Sequence, residues 1–191
     1  NTGGWTSYSQ NNPCSGGTNA AEMRNLVCGD GNPEPIRLGE DVATIGGQLQ
    51  TTFDDFYDCW VANSQGKTQP WEITLLVVDC PGNNITTCQE VVGAVTLTIV
   101  WINSQNDPQY NDAPEQMGAW SNDDPDGQVR WNDFVAHFNL KNLNETGDGL
   151  VDAPYDKKSI YFLPDCNPHD PTGGTGGRNF GIMAKIPVLV Q

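Results

Sequence analysis

The run Val91-Val-Gly-Ala-Val-Thr-Leu-Thr-Ile-Val-Trp-Ile102 constrains this chain more than any other stretch of it. It is strongly apolar, yet only about half the roughly 20 residues that a membrane-spanning helix requires. Its β-branched content, with threonines at alternate positions 96 and 98, predicts a buried strand instead. Trp71-Glu-Ile-Thr-Leu-Leu-Val-Val-Asp-Cys80 reads as a second strand and Pro81-Gly-Asn-Asn84 as the turn between them. The two together predict an antiparallel hairpin at the centre of a sheet.

The flanking segments read as mixed structure. Thr18 or Asn19 can cap a helix whose apolar face holds Met23 and Leu26, with Cys28-Gly29 as its stop. Leu49, Phe53, Phe56 and Trp60 recur at helical spacing and predict a core-facing helix over about 48–62. Ile36-Arg-Leu reads as a short strand followed by a turn-rich connection from Gly39 to Gly47. Further along, the sequence predicts a helix from Arg130 to Phe138, a strand at Ser159–Leu163 and a terminal strand within Phe180–Val190, where Pro187 favours a sheet edge. The expected class is therefore α+β, a central antiparallel β-sheet with a few short helices. Residues 1–18 form a polar arm, and residues 19–191 form one domain with an acidic insertion at about 103–158.

Six cysteines, Cys14, Cys28, Cys59, Cys80, Cys88 and Cys166, make an even set without a Cys-x-x-Cys pair. That spacing excludes zinc ribbons and thioredoxin-like redox sites and predicts a disulfide-stabilised fold. Six cysteines permit about 15 pairings; Cys80 and Cys88 flank a turn and are the preferred pair. Each bridge contributes about 2–5 kcal/mol, which suits an oxidising compartment, so the expected location is extracellular, at the cell surface or in the periplasm. The chain starts at Asn1 without a signal-type apolar segment, which reads as a trimmed chain. Asn84 and Asn144 each open an Asn-x-Thr sequon.

With 24 acidic residues against 9 basic ones, a formal charge of -15, the surface repels phosphate. DNA, RNA and anionic membranes are excluded as partners, and cations are favoured. The carboxylates concentrate in two glycine-containing stretches. Asn122-Asp-Asp-Pro-Asp-Gly-Gln-Val-Arg-Trp-Asn-Asp133 can be laid on a twelve-residue calcium loop. Asn122, Asp124 and Asp126 then occupy its first three ligand positions, Gly127 makes the bend, Gln128 offers its carbonyl and Asp133 closes the loop. In that register Val129 pins the loop to the core, while Arg130 stands at a position where it cannot be a ligand. Ca²⁺ is the cofactor this register implies; a solvated acidic turn is the alternative. Asn144-Glu-Thr-Gly-Asp-Gly-Leu-Val-Asp-Ala-Pro-Tyr155 resembles a degenerate second copy, for which a Gly-Asp-Gly hairpin turn is the simpler explanation.

Enzyme signatures are missing. The chain has no Gly-x-Ser-x-Gly elbow, Walker loop or His-Glu-x-x-His. Of its two histidines, His137 sits among aromatics on a helix and reads as packing, while His169 lies in a Pro-rich loop. Gly173–Gly181 lacks the Lys-Ser/Thr and following helix of a phosphate cradle. No catalytic residue is expected, although 24 carboxylates leave a glycoside hydrolase open.

The segments Ile36-Arg-Leu-Gly-Glu-Asp-Val-Ala-Thr, Trp71–Cys80, Val91–Ile99 and Ser159-Ile-Tyr-Phe-Leu-Pro-Asp-Cys166 with the tail to Val190 occur in an order that resembles the TadG-like proteins of bacterial Tad (Flp) pilus-assembly systems. The resemblance lies with the soluble part that follows their membrane helix, and it covers most of the chain from about Cys14 onward. It implies an exported accessory of a pilus or secretion machine, with no catalytic residues to carry over. The hydrophobic helix that anchors such proteins is absent from this chain, so no membrane span is expected in it. The polar arm and the apolar C-terminal strand become candidates for self-assembly or protein contacts, because an extended segment can complete a neighbour's sheet edge. The expected function is a non-catalytic surface structural or assembly subunit. A calcium-dependent adhesion or carbohydrate-binding module, using some of the six tryptophans, is the second class and a secreted hydrolase the third.

Overall fold

A computed structural model describes residues 4–8, 10, 20–26, 36–46, 50–79, 88–104 and 110–169. The described residues hold three helices and nine strands in the order β1 (Gly4–Thr6), α1 (Ala20–Leu26), β2 (Asp41–Gly46), α2 (Gln50–Asn63), β3 (Trp71–Asp79), β4 (Cys88–Ile102), β5 (Gln116–Met117), β6 (Trp120–Ser121), α3 (Gly127–Phe138), β7 (Lys141–Leu143), β8 (Leu150–Asp152) and β9 (Ile160–His169). The class is α+β with antiparallel sheets, as the alternation of strand-like and helix-like periods predicts. No helix among the described residues is long and apolar enough to cross a membrane.

The main sheet runs β1-β2-β4-β3, and β9 also pairs β4. β1 lies antiparallel to β2 with Trp5 opposite Ile45, and β2 lies antiparallel to β4 with Val42 opposite Gln89. Thr74 and Thr96 hydroxyls are 2.8 Å apart, and a Cβ at Gly93 would meet that of Val77 at 3.8 Å. One strand rises in number as the other falls, so β3 and β4 form the predicted antiparallel pair. The helices agree with the sequence reading within a few residues. The strand expected at 36–38 is instead a turn built on Gly39 at φ 80°, and the strand begins at Asp41. Gly39 N–H donates to the Val91 carbonyl and Val91 N–H to Glu40, which delivers Val42, Ala43 and Thr44 to buried positions.

The described residues fall into two compact units, whose boundary crosses α2, β3, β4 and β9. The first holds the described residues up to Asp55, those of Thr74–Thr96 and those from Asn167 to His169, with Met23, Val42, Phe53 and Val91 in its core. The second comprises Phe56–Ile73 and Leu97–Cys166. Its core is aromatic: Trp60 meets Trp101 edge-on at 5.0 Å, Trp101 and Trp120 meet Phe134 edge-on, and Trp131 stacks on Phe134 at 5.6 Å. These five side chains are all buried. Such pairs add about 0.5–1.5 kcal/mol each beyond area burial, so the ring cluster organises this unit. Gln65, Gly66 and Lys67, all at positive φ, turn the chain after α2 and bring the Lys67 ammonium 2.9 Å from Asp112. Burial lowers the pKa of Lys67, but its hydrogen bonds to Tyr57 and Asp112 outweigh that and leave the group above its ordinary value.

Candidate functional site

The acidic stretch 122–133 lies in the second unit and splits into a short loop and the start of α3. Asn122, Asp124 and Asp126 each accept from the backbone two residues on. Asn122 Oδ1 takes Asp124 N–H at 2.9 Å, Asp124 Oδ1 takes Asp126 N–H at 2.8 Å, and Asp126 Oδ1 takes Gln128 N–H at 2.9 Å. The last of these is the N-cap of α3, with Asp126 extended at φ -84°, ψ 111°. This cap explains why α3 starts at Gly127 rather than at the predicted Arg130: the side chain satisfies a first-turn amide and lets the helix begin there.

The ends of the predicted ligand series do meet. Asn122 Nδ2 donates to Asp133 Oδ2 at 2.5 Å. Two features differ from the calcium-loop register. Val129, expected to pin the loop to the core, is 39% exposed. Arg130 is the residue that enters the interior, at 6% exposure, with Nη1 on the Asp124 carbonyl at 2.7 Å and Nε on the Ala113 carbonyl at 3.2 Å. A fixed guanidinium therefore faces the loop backbone where the register would place the ion's surroundings. Gln128 sits in the first turn of α3 with its side chain exposed. Among the described residues, no three His, Cys, Asp or Glu side chains come together as a set that could hold a metal.

A cavity of about 320 Å³ opens beside the helix start, lined by Tyr110, Asn111, Pro125, Gly127, Gln128 and Arg130 among others. Tyr110 takes φ 66°, and its carbonyl accepts from Ala113 N–H and presses on Gly127. A Cβ at Gly127 would lie 2.1 Å from that carbonyl oxygen. The glycine is thus required by a close backbone approach rather than by the bend that the sequence suggested, since it opens α3 without a positive φ. Arg130 and Tyr110 are the residues that sequence reasoning missed. One lone cation inside an acidic run was the available clue to the first; nothing local signals the second.

The second acidic stretch is the tip of a two-stranded hairpin, in which Lys141 faces Asp152, Asn142 faces Val151 and Leu143 faces Leu150. Asn144 Oδ1 gathers Asp148 N–H at 3.1 Å and the Thr146 hydroxyl at 3.1 Å, with Gly147 at φ 73°. The Thr146 hydroxyl at 2.5 Å, and then the Asn144 amide, hold the exposed Asp148 carboxyl below its usual range. Asn144 N–H bonds Gly149 O, and Ala153 N–H bonds Leu140 O. By the alternation of antiparallel pairing, Leu150 and Asp152 turn their backbone groups outward. No other described strand pairs with β8. Leu150 is 69% and Val151 46% exposed there.

The remaining predicted residues are dispersed. Cys59 is buried in α2, Cys88 opens β4 and Cys166 lies in β9, while Cys14, Cys28 and Cys80 fall outside the described residues. So do the sequon at Asn84, the glycine loop at 173–181 and the terminal strand. His137 is exposed and packs against Phe138 and Trp120, at ring separations of 4.7 and 6.3 Å. Four of the six tryptophans considered for sugar stacking, Trp60, Trp101, Trp120 and Trp131, are buried in the core. Compared with protein-family models, curated proteins and solved structures, the chain matches none.

Proposed function

We propose that this chain is a non-catalytic structural or assembly subunit of a cell-surface structure, as its resemblance to TadG-like pilus-assembly proteins implies. The observation that carries the reading is the open β8 edge. It presents outward-facing backbone groups together with Leu150 and Val151, an arrangement suited to pairing with another strand and one that soluble monomers usually blunt. The occupant is a second copy of the chain. The even set of six cysteines without a Cys-x-x-Cys pair supports an oxidising location. Sedimentation velocity over rising concentration tests the reading. Reversible self-association is expected for the natural chain and loss of it for the Leu150→Lys, Val151→Lys double variant. A chain that stays monomeric at the highest concentration overturns assembly through this edge.

A calcium-dependent adhesion module is the second reading, favoured by the Asn122–Asp133 contact that closes the loop. Asn122, Asp124, Asp126, the Gln128 carbonyl and Asp133 would supply the oxygens. Extracellular calcium sites bind at about 0.1–1 mM, and a hundredfold excess over Kd would add roughly 2.7 kcal/mol. A thermal melt in calcium against chelator separates the readings: a rise abolished by Asp126→Ala supports the ion, and identical melts leave Arg130 as the loop's cation.

A further inference from the structure

The chain contains three Asp-Pro bonds, Asp107–Pro108, Asp124–Pro125 and Asp170–Pro171. Only the middle one lies within the described residues. Its carbonyl oxygen receives Arg130 Nη1 at 2.7 Å from a guanidinium that is buried and held at its other side by Ala113. The Asp124 carboxylate is tied to Asp126 N–H at 2.8 Å. The ring closed by that hydrogen bond contains the 124–125 peptide and fixes the carboxylate's rotamer; only Cα and Cβ separate the carboxylate from its own main-chain carbonyl. Pro125 borders the open cavity at the helix start.

We propose that Asp124–Pro125 is a self-cleavage site, with Asp124 as the nucleophile and Arg130 as the group that stabilises the developing oxyanion. The free Asp124 carboxylate oxygen attacks the Asp124 carbonyl carbon and forms a five-membered cyclic anhydride. The bond from that carbon to Pro125 nitrogen breaks, and the nitrogen leaves as a secondary amine after taking a proton from solvent. Water then opens the anhydride, giving the side-chain carboxylate, a new C-terminal carboxylate and two protons, of which one replaces that taken by the nitrogen and the other converts the new N-terminal amine to its ammonium form. The net reaction consumes one water and needs no oxidant, reductant or metal.

Three features make this bond differ from an ordinary peptide bond. A nucleophile already linked to the carbonyl removes the entropy cost of bringing reactants together. A preorganised cationic donor on the carbonyl oxygen stabilises charge that appears only in the transition state. Proline nitrogen has no N–H and leaves as a more basic secondary amine than other residues provide. The other two bonds share the first and third features by sequence, and the Arg130 contact is the feature observed at this one.

The test incubates the folded full-length chain in mildly acidic buffer and reads fragments by reducing gel and intact mass. Fragments 1–124 and 125–191 should accumulate at least about tenfold faster than products of the other two Asp-Pro bonds. That bias should vanish in denaturant, where the three bonds become equivalent. Asp124→Asn keeps the acceptor for Asp126 N–H, removes the nucleophile and should abolish the cut. Arg130→Lys should slow it by at least about tenfold. If that variant does not fold, the comparison of bonds in native and denatured chain still decides. Equal cleavage at all three bonds of the folded chain, no cleavage at Asp124–Pro125, or an unchanged cut in Asp124→Asn would each overturn the proposal.

Discussion

The two acidic, glycine-containing stretches look like copies in sequence and are opposites in structure. In 122–133 the side chains lead into a helix: Asn122, Asp124 and Asp126 each fix the amide two residues on, Asp126 caps α3, and the buried Arg130 binds the loop backbone from inside. In 144–155 the same kind of residues serve a hairpin tip, where Asn144, Thr146 and Asp148 bond only one another and nearby amides. The difference lies downstream of the glycine. Gln128-Val-Arg-Trp supplies helix formers and an inward cation, whereas Leu150-Val-Asp supplies a strand with every residue exposed. A short Asx-rich run therefore specifies a turn, and its neighbours decide whether the turn starts a helix or joins two strands.

If this contrast is right, equivalent glycine substitutions have unequal effects. Gly127→Ala puts a Cβ at 2.1 Å from the Tyr110 carbonyl, a backbone atom that cannot swing aside. A loss of about 3 kcal/mol or more is expected by chemical denaturation. Gly149→Ala meets only the Asn144 side-chain amide at 3.1 Å, which can rotate, so less than about 1 kcal/mol is expected. Equal losses would mean that Tyr110 yields and that the loop is no more tightly constrained than the hairpin.

The hairpin is held at its base rather than at its tip. Tyr161 hydroxyl donates to the Pro154 carbonyl at 2.6 Å and accepts Asp156 N–H at 2.9 Å, while Trp131 Nε1 donates to the Ala153 carbonyl at 3.0 Å. Tyr161→Phe leaves two backbone groups without that partner and is expected to lose about 1–3 kcal/mol. Burial, only partly opposed by the bond from Asp156, pushes the Tyr161 hydroxyl well above its ordinary value of 10.0. Its folded pKa is raised, so its contribution is intact below about pH 10 and falls as pH rises above that, because the unfolded chain alone releases the proton. Stability of the natural chain should thus drop more steeply above pH 10 than that of Tyr161→Phe, by up to about 1.4 kcal/mol per pH unit. Parallel alkaline curves would show that the hydroxyl reaches water.

The long strands were legible because Trp71–Asp79 and the 91–102 run carry β-branched residues at a period that suits no helix. α2 was legible from Phe53 and Trp60, both buried on one stripe. β2 was not, since the glycines bracketing Asp41–Ile45 look like loop punctuation and its pairing partner lies far along the chain at Gln89. The β5–β6 hairpin, turning at Gly118 with φ 57°, hid in a polar stretch whose only large apolar side chains are Met117 and Trp120. The acidic loop was found from composition alone. Its internal logic was not, because Arg130 acquires its role from the Ala113 carbonyl and Gly127 from Tyr110, contacts that no local spacing encodes.

The smallest effect separates the two regions most cleanly, because it compares side chains of similar chemistry. Asp126→Ala removes the acceptor for Gln128 N–H at the start of α3, and N-cap losses run at about 1 kcal/mol. The damage should be local: faster amide exchange in the first turn of α3, with Trp131 and Phe134 still packed, since the ring cluster rather than the cap holds that helix. Asn144→Ala removes several bonds rather than one, yet all lie within the exposed tip. Water can replace each of them, so a loss of no more than about 0.5 kcal/mol is expected. Should Asn144→Ala prove the costlier change, the hairpin tip would be a folding determinant in its own right, and the ordering of the two acidic stretches would reverse.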